Sequence, residues 1–331
     1  MKPEPHRAER SRRPAMHSPD DKIVITGAAG LVGQNLVTLL AELGYTRLVA
    51  IDKHADNLDI LQRLHPKVQT LQADLAEPGR WASAFDGATV VVQLHAQIAG
   101  KTAKPFDRNN IEATRQVLQV LAALPDVYLV HASSSVVNSV ADDHYVRSKT
   151  AQEQIVRASG LRLCVLRPTL MFGWFDPKHL GWLARFMERV PVFPIPGHGR
   201  YMRQPLYNRD FCRAILAMMQ QQPDGAVYDL TGPDHIDYID MIHVIRDTKG
   251  LKTPIVRVPI PIFSAMLRLY GLFSDKPPFT VEQLRALTAG DEFTGVDLKQ
   301  VFGFEPTPFR AAIRETYGHP VYSDVVLASP H

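Results

Sequence analysis

Through the first half of the chain, short runs of consecutive apolar residues alternate with longer segments of helical spacing. Lys22–Thr26 is a β-rich run. Gly30–Leu43 follows with apolar side chains at Leu31, Val32, Leu36, Leu39 and Leu40, the repeat of one helix face. Arg47–Ile51 is a second apolar run and ends at Asp52. The pattern continues with a helix over Asp56–Leu64, a strand over Val68–Leu71 and a short helix over Trp81–Phe85. Val90–Leu94 is apolar except for Gln93, as expected for a strand covered on both faces. A long helix over Phe106–Leu124 precedes a strand over Val127–Val130, a helix over Tyr145–Ala158 and a strand over Leu161–Leu166. Strictly alternating strands and helices predict an α/β fold, a Rossmann-type doubly wound parallel sheet. Such sheets bind ligands at the carboxyl ends of their strands, where the strand order reverses.

After Pro168 the rhythm breaks. Pro191, Pro194 and Pro196 punctuate a loop around Pro196-Gly197-His198-Gly199. Helical spacing returns at Arg209–Met219, Tyr238–Thr248, Pro261–Leu272 and Val281–Leu287. The expected division is a tail over 1–21, a nucleotide-binding domain over 22–170, and a smaller C-terminal α/β substrate-capping region over 171–331 whose segments return to the sheet.

The tail is polar, carries Arg7, Arg10, Arg12 and Arg13, and is expected to be disordered. Glu4, Glu9 and the prolines argue against an amphipathic transit helix, and Met16 is an alternative start. Net charge is only +3 over 331 residues, which gives no reason to expect nucleic acid as a partner. No stretch approaches the ~18 apolar residues of a membrane span. Cys164 and Cys212 both lie in apolar surroundings and read as buried thiols, in keeping with a cytoplasmic protein.

The run Thr26-Gly27-Ala28-Ala29-Gly30-Leu31-Val32-Gly33 follows a strand and opens a helix. Gly27 permits a tight turn, Gly30 lets backbone approach a pyrophosphate, and Gly33 lets helix and strand pack closely. The helix N-terminus then offers free N–H groups and a positive dipole end. Asp52 ends the second strand about 20 residues on, where an acid accepts hydrogen bonds from ribose hydroxyls. A 2′-phosphate would meet a like charge there, so NAD is expected over NADP, with Lys53 and His54 softening the preference. Asp74, just after the third strand, either holds the adenine amino group or caps a helix.

Tyr145 and Lys149 stand four apart, on one helix face. An ammonium beside a phenol favours the phenolate and lowers its pKa, which makes tyrosine a usable base near neutrality. Ser133, Ser134 and Ser135 follow the fifth strand, where a hydroxyl can bind a substrate oxygen beside the tyrosine.

In these motifs the chain resembles the extended short-chain dehydrogenase/reductase family, particularly its nucleotide-sugar epimerase/dehydratase branch. The likeness covers roughly Lys22 to Tyr317 and rests on TGAAGLVG at Thr26–Gly33, Asp52, QADL at Gln72–Leu75, Asn110 in NNIEAT, SSSVV at Ser133–Val137, YVRSK at Tyr145–Lys149 and LRPTLMFG at Leu166–Gly173. The resemblance implies Tyr145 as general acid/base, Lys149 as its partner and Ser134 as the substrate-orienting hydroxyl, with Ser133 as the alternative. It implies cofactor contacts at Gly27, Ala29, Gly30, Leu31, Val32, Gly33, Asp52, Asp74, Leu75, Leu94, His95, Ala96, Asn110 and Pro168, besides Tyr145 and Lys149. Substrate contacts fall at Gln97, Ser134, Ser135 and Arg203, with no metal, and the family's habit implies a homodimer through the helices over Phe106–Leu124 and Tyr145–Ala158.

The departures are informative. The family's strand-four motif reads Gln93-Leu94-His95-Ala96-Gln97, which puts a titratable His95 near the nicotinamide half. Dehydratases of this family carry Asp-Glu directly after the catalytic Thr; Ser135 and Val136 stand there instead, removing that route's acid and base. Arg203 occupies the position that grips a nucleotide diphosphate, and an arginine fork suits phosphate. Asp210 matches the family's following acid and reads as structural. Leu170 replaces the family's asparagine after strand six, and Trp182, Tyr201 and Met202 either shape an apolar pocket or pack the core. Val258–Phe263 leading into Met266, Leu267 and Leu269 reads as a capping helix, a lid or a membrane-facing patch. The leading expectation is an NAD-dependent epimerase or keto-reductase on a nucleotide-activated sugar. The alternatives are an oxidoreductase on a non-nucleotide alcohol or ketone, aldose- or sterol-like, and a non-catalytic NAD-binding module.

Overall fold

The computed structural model describes residues 18–139, 142–273, 284, 287–288 and 292–328. At its centre is a seven-stranded sheet, parallel throughout, with β1 (Ile23–Thr26), β2 (Leu48–Asp52), β3 (Gln69–Gln72), β4 (Val90–Gln93), β5 (Tyr128–Ala132), β6 (Arg162–Pro168) and β11 (Ala226–Leu230). The strands lie in the order β11-β6-β5-β4-β1-β2-β3. The chain runs outward from β1 to β3, then crosses to β4 and runs the other way. The reversal therefore falls between β1 and β4, and both strands end there at Thr26 and Gln93.

Successive strand residues face opposite layers, and the core divides accordingly. Ile23, Ile25, Leu48, Ala50, Val90, Val92, Tyr128, Val130, Cys164 and Leu166 face one layer, under α1 (Leu31–Glu42) and α7 (Asn208–Gln221). Val24, Val49, Ile51, Val91, Leu129, Leu163 and Val165 face the other, against Trp81, Phe85, Val117, Leu121 and Val156. Continuous apolar strands are what a sheet covered on both sides requires, and each fully buried Val, Ile or Leu contributes about 1.5–3 kcal/mol.

The predicted single helix over Phe106–Leu124 is interrupted. It begins earlier, at Ala103–Phe106, passes through a π-helical stretch at Asp107–Glu112 and ends as α4 (Ala113–Leu121). The segment at Arg80–Phe85 is a 3-10 turn rather than an α-helix. β5 and β6 run on past their predicted ends, to Ala132 and Pro168. Of the expected disordered tail, 18–21 is ordered: Thr46 N–H donates to Pro19 O (3.1 Å) and Arg47 to Asp20 O (3.3 Å). The rest of that expectation, 1–17, lies outside the described residues, as does most of the helix expected over Val281–Leu287.

The second half supplies elements to the sheet. α7 packs on α1, and β11 pairs with β6. The remainder holds three two-stranded pairings, β7 (Met171–Phe172) with β10 (Leu206–Tyr207), β8 (Phe193–Pro196) with β13 (Ile255–Val258), and β9 (Met202–Arg203) with β12 (Ile236–Asp237). Around them pack α6 (His179–Arg189), α8 (Tyr238–Thr248), α9 (Ile260–Phe273) and the helices Leu298–Phe302 and Phe309–Gly318. Cys164 and Cys212 are buried and unbonded to each other. Among the described residues no helix is long and apolar enough to cross a membrane, and no metal-ligating cluster occurs.

Candidate active site

The glycine loop sits at the sheet's reversal point. Gly27 adopts φ +70°, and a Cβ there would stand 2.6 Å from the backbone nitrogen of His95. A Cβ on Gly33 would stand 2.4 Å from Cα and O of Ala28, so α1 can approach β1 only with glycine there. Gly30 precedes α1 with no side chain capping it, which leaves the N–H groups of Leu31, Val32 and Gly33 free to meet an anion. Asp52 is buried at the end of β2, and its carboxylate accepts from Ala29 N–H (3.0 Å), His54 N–H (3.0 Å) and the His54 ring (2.8 Å). A cradle only glycine can line, an uncapped helix end and a strand-end acid fit a dinucleotide. Asp74 caps Ala76 N–H (3.0 Å) and takes a 2.6 Å ion pair from Arg108, so its carboxylate is already engaged. Leu75 is buried beside it, while Leu94 and Ala96 lie on the exit of β4.

The candidate proton-transfer residues gather at the end of β5. Asp143 caps α5 (His144–Arg157) by accepting from Val146 N–H (2.9 Å), which sets Tyr145 in its first turn. Ser134, buried just after β5, accepts from Val136 N–H (3.4 Å), and its hydroxyl acts on the Tyr145 phenol. Ser133 points away, donating to Glu153 at 2.6 Å, and Ser135 is buried. Glu153 is gripped by the Arg167 fork at 2.9 and 2.5 Å, a pairing that ties α5 to β6 just before Pro168. Burial raises the Tyr145 pKa, the Ser134 hydrogen bond opposes this, and Asp143 adds to it. Lys149, expected beside the phenol, is held by other groups in this arrangement. Its ammonium is turned to Ala132 O (3.0 Å) and Gln152 Oε1 (2.5 Å). Burial pushes Lys149 down to about 7, with Glu153 opposing.

A buried polar network backs the lysine. Thr114 Oγ1 accepts from Gln93 Nε2 (2.7 Å) and Gln152 Nε2 (2.9 Å). A hydroxyl has two lone pairs and one proton, so that proton is left for His95 Nε2 at 3.3 Å. His95 therefore carries its own proton on Nδ1 and donates to Thr26 Oγ1 at 2.8 Å. Burial, helped by Lys149, pushes His95 down to about 3, so the ring stays neutral. His131, fully buried on β5, has no hydrogen-bond partner among the described residues, and burial holds it well below the usual imidazole range. Asn110 lies in the π-helical stretch, donating to Ser148 Oγ (2.9 Å) and Gln97 O (3.1 Å) and accepting from Gln97 N–H (2.6 Å). The Gln97 side chain is held by Asn109 and Ala99. Gln152 and Thr114 were missed in the sequence. Their signals were spacing alone, Gln152 three past Lys149 and Thr114 four past Asn110, each on the same helix face.

Of the residues expected to meet substrate, Arg203 donates to Met202 O (2.9 Å) and to Leu287 O, so part of its fork rests on carbonyls. Asp210 is structural as expected, accepting from Thr307 N–H (2.6 Å), Thr307 Oγ1 (3.0 Å) and Arg213 (3.2 Å). Tyr201 is buried with its hydroxyl on Pro196 O (3.2 Å), and Trp182 stacks on Phe186 at 4.9 Å, so both pack the fold. Leu170 is exposed after β6.

A parallel sheet with a dinucleotide cradle at its switch point and a Ser/Tyr/Lys set beside it defines a nicotinamide-dependent oxidoreductase class. The family model "NAD dependent epimerase/dehydratase family" matches residues 23–230, and the chain belongs to that family. Among curated relatives, a ceramide reductase of Caulobacter vibrioides is 24% identical, covering 72% of this chain and 74% of the relative. A 3 beta-hydroxysteroid dehydrogenase/Delta 5-->4-isomerase of Mycobacterium tuberculosis is 23% identical over 86% of each. Among solved structures, a UDP-glucuronic acid 4-epimerase of Bacillus cereus, in complex with UDP-glucuronic acid and NAD, superposes with TM-score 0.71 at 18% identity, over 90% of this chain and 98% of that one. NAD is the cofactor of the class.

Proposed function

We propose that the protein interconverts an alcohol and a ketone on an apolar, non-nucleotide substrate, using NAD. Two residues expected to meet substrate carry this reading. Arg203 spends N–H groups on Met202 O and Leu287 O, and Leu170 stands exposed where a nucleotide-sugar enzyme of the family carries asparagine. The relatives named for ceramide and steroid reactions support it.

Gly27, Gly30 and Gly33 admit the pyrophosphate, α1 offers N–H groups to it, and Asp52 takes the adenine ribose. Bound NAD supplies a hydride acceptor, and NADH a donor, for the carbinol or carbonyl carbon. Ser134 hydrogen-bonds the substrate oxygen and Tyr145 moves the hydroxyl proton. Lys149, held at Ala132 and Gln152, lies four residues along the same helix, where its charge would meet the nicotinamide ribose. We propose a homodimer through residues 103–121 and α5, which a monomeric mass at micromolar concentration would overturn.

The test is to denature the protein, identify released dinucleotide, and assay native protein on hydroxysteroids and long-chain alcohols or ketones alongside UDP- and dTDP-sugars. Net NADH formation or consumption on the apolar panel supports the reading. Tyr145→Phe should then lower turnover by about 10²–10⁴-fold, the usual contribution of a general acid/base, with dinucleotide still retained. Redox-neutral epimerisation of a nucleotide sugar overturns it and makes Arg203 a phosphate ligand.

A further inference from the structure

α9 is inverted with respect to an ordinary surface helix. Phe263 and Leu267 turn inward, with Phe263 buried. At about 100° per residue, Ile262, Ala265, Met266 and Leu269 share the opposite, outward arc, and Arg268 marks its edge. A surface helix of a soluble protein puts polar residues on that arc. Here Ile262 is 55%, Met266 50% and Leu269 58% exposed. Val256 on β13 and Ile260 at the start of α9 extend the same apolar surface. Among the described residues, five of the eleven exposed large apolar side chains fall within Val256–Leu269. Val192, exposed just before β8, adjoins them through the β8–β13 pairing.

Charge selects the occupant. From Leu251 to Phe273 the chain carries Lys252, Arg257 and Arg268, all exposed, and no acidic residue. The protein as a whole has 34 acids, nearly as many as its 37 Lys and Arg, so a 23-residue stretch without one is a local bias. An apolar arc flanked by cations and free of anions is complementary to an anionic lipid surface: the side chains enter the acyl boundary while Lys and Arg meet the headgroups. The start of the helix is also tied to the loop at Gly197. Gly197 N–H donates to Val258 O (2.7 Å), and a Cβ on Gly197 would stand 3.2 Å from Ile260. Gly197 opens the short loop that leads to Arg203.

We propose that α9 and the adjoining edge of β13 dock the protein on the surface of an anionic membrane, lying in the interface without crossing it. The proposal does not depend on the substrate assigned above, because docking is read without turnover.

The experiment is co-sedimentation of the full chain with vesicles of phosphatidylcholine alone or with about one third phosphatidylglycerol. Wild type should sediment with the anionic vesicles and be released by high salt. Leu269→Asp or Met266→Asp should lower the partition coefficient roughly tenfold or more, since each removes buried apolar area and adds a charge. Arg257→Gln and Arg268→Gln should each lower it about fivefold, the value of one cation near an anionic surface. Circular dichroism and dinucleotide retention should not change in any variant. No sedimentation by folded wild type, or equal sedimentation by all variants, overturns the proposal. So does a soluble dimer that Leu269→Asp converts to monomer without any vesicle binding, which would assign the face to a second copy.

Discussion

Lys149 is 1% exposed, and burial holds it at about 7 against an ordinary 10.5. Between these values the unfolded chain keeps the proton and the folded chain has released it. The contribution of this residue to stability therefore rises with pH across that window and falls as pH drops towards 7. Each pH unit is worth about 1.4 kcal/mol. Near pH 7 the folded protein bears about 4 kcal/mol for this side chain relative to a neutral one, and near pH 9 about 2 kcal/mol. Lys149→Met removes that cost but strips donors from Ala132 O and Gln152 Oε1, which costs about 1–3 kcal/mol at any pH. Dinucleotide-free Lys149→Met should be more stable than wild type by about 1–3 kcal/mol at pH 7, with the gain gone by about pH 9. Urea unfolding of both proteins at the two pH values measures it. Comparing the pair cancels other titrations, including the raised thiols of Cys164 and Cys212. A variant less stable than wild type at pH 7, or a difference that does not change with pH, refutes the reasoning. The same variant should be inactive, so the lysine would be kept for chemistry against stability.

Gly33→Ala places a methyl 2.4 Å from the Ala28 backbone, which must push α1 off β1. A loss of about 3 kcal/mol, seen as a melting temperature lower by at least about 5 °C, is expected together with loss of co-purifying dinucleotide. Asp52→Ala removes the acceptor for Ala29 N–H and for a ribose hydroxyl. NAD affinity should fall about 10–100-fold and NADP affinity much less, which fluorescence titration with both cofactors resolves. His95→Gln tests another depressed group. Since the unfolded chain gains a proton at pH 6.5 that the folded ring refuses until about 3, wild type should lose stability steadily through that range and the variant should lose less.

The sheet was legible because its strands are short, apolar and bounded by glycine and proline, so period and length agree. β11 was not: Ala226–Tyr228 are only partly buried at the sheet edge, and an edge strand lacks the continuous apolar run that marks a central one. The π-helical stretch was illegible because Asp107–Glu112 carries no glycine or proline to mark it; Asn110 within it bonds Ser148 of α5, a contact between distant parts of the chain. In the site, Ser134, Tyr145 and the glycine loop stood out because fixed spacing performs their chemistry. The Thr114–Gln152–His95 network did not, because three elements meet there and only side-chain rotamers join them. Where the Lys149 ammonium rests also required coordinates, since the i to i+4 spacing permits contact with Tyr145 without aiming it there.

The pairing of β11 with β6 bears on how the chain is made. Synthesis delivers β1 to β6 first, yet the open edge of β6 waits for Ala226–Leu230, and the apolar face of α1 waits for Phe211, Cys212 and Ile215 of α7. A nascent chain halted near Pro168 would present an unpaired strand edge and a bare helix face together, both templates for aggregation. The nucleotide-binding half is thus not a module that could be cut out or fused elsewhere on its own. Ribosome-stalled fragments ending before residue 221 should need a chaperone to stay soluble, and those ending beyond 230 should not.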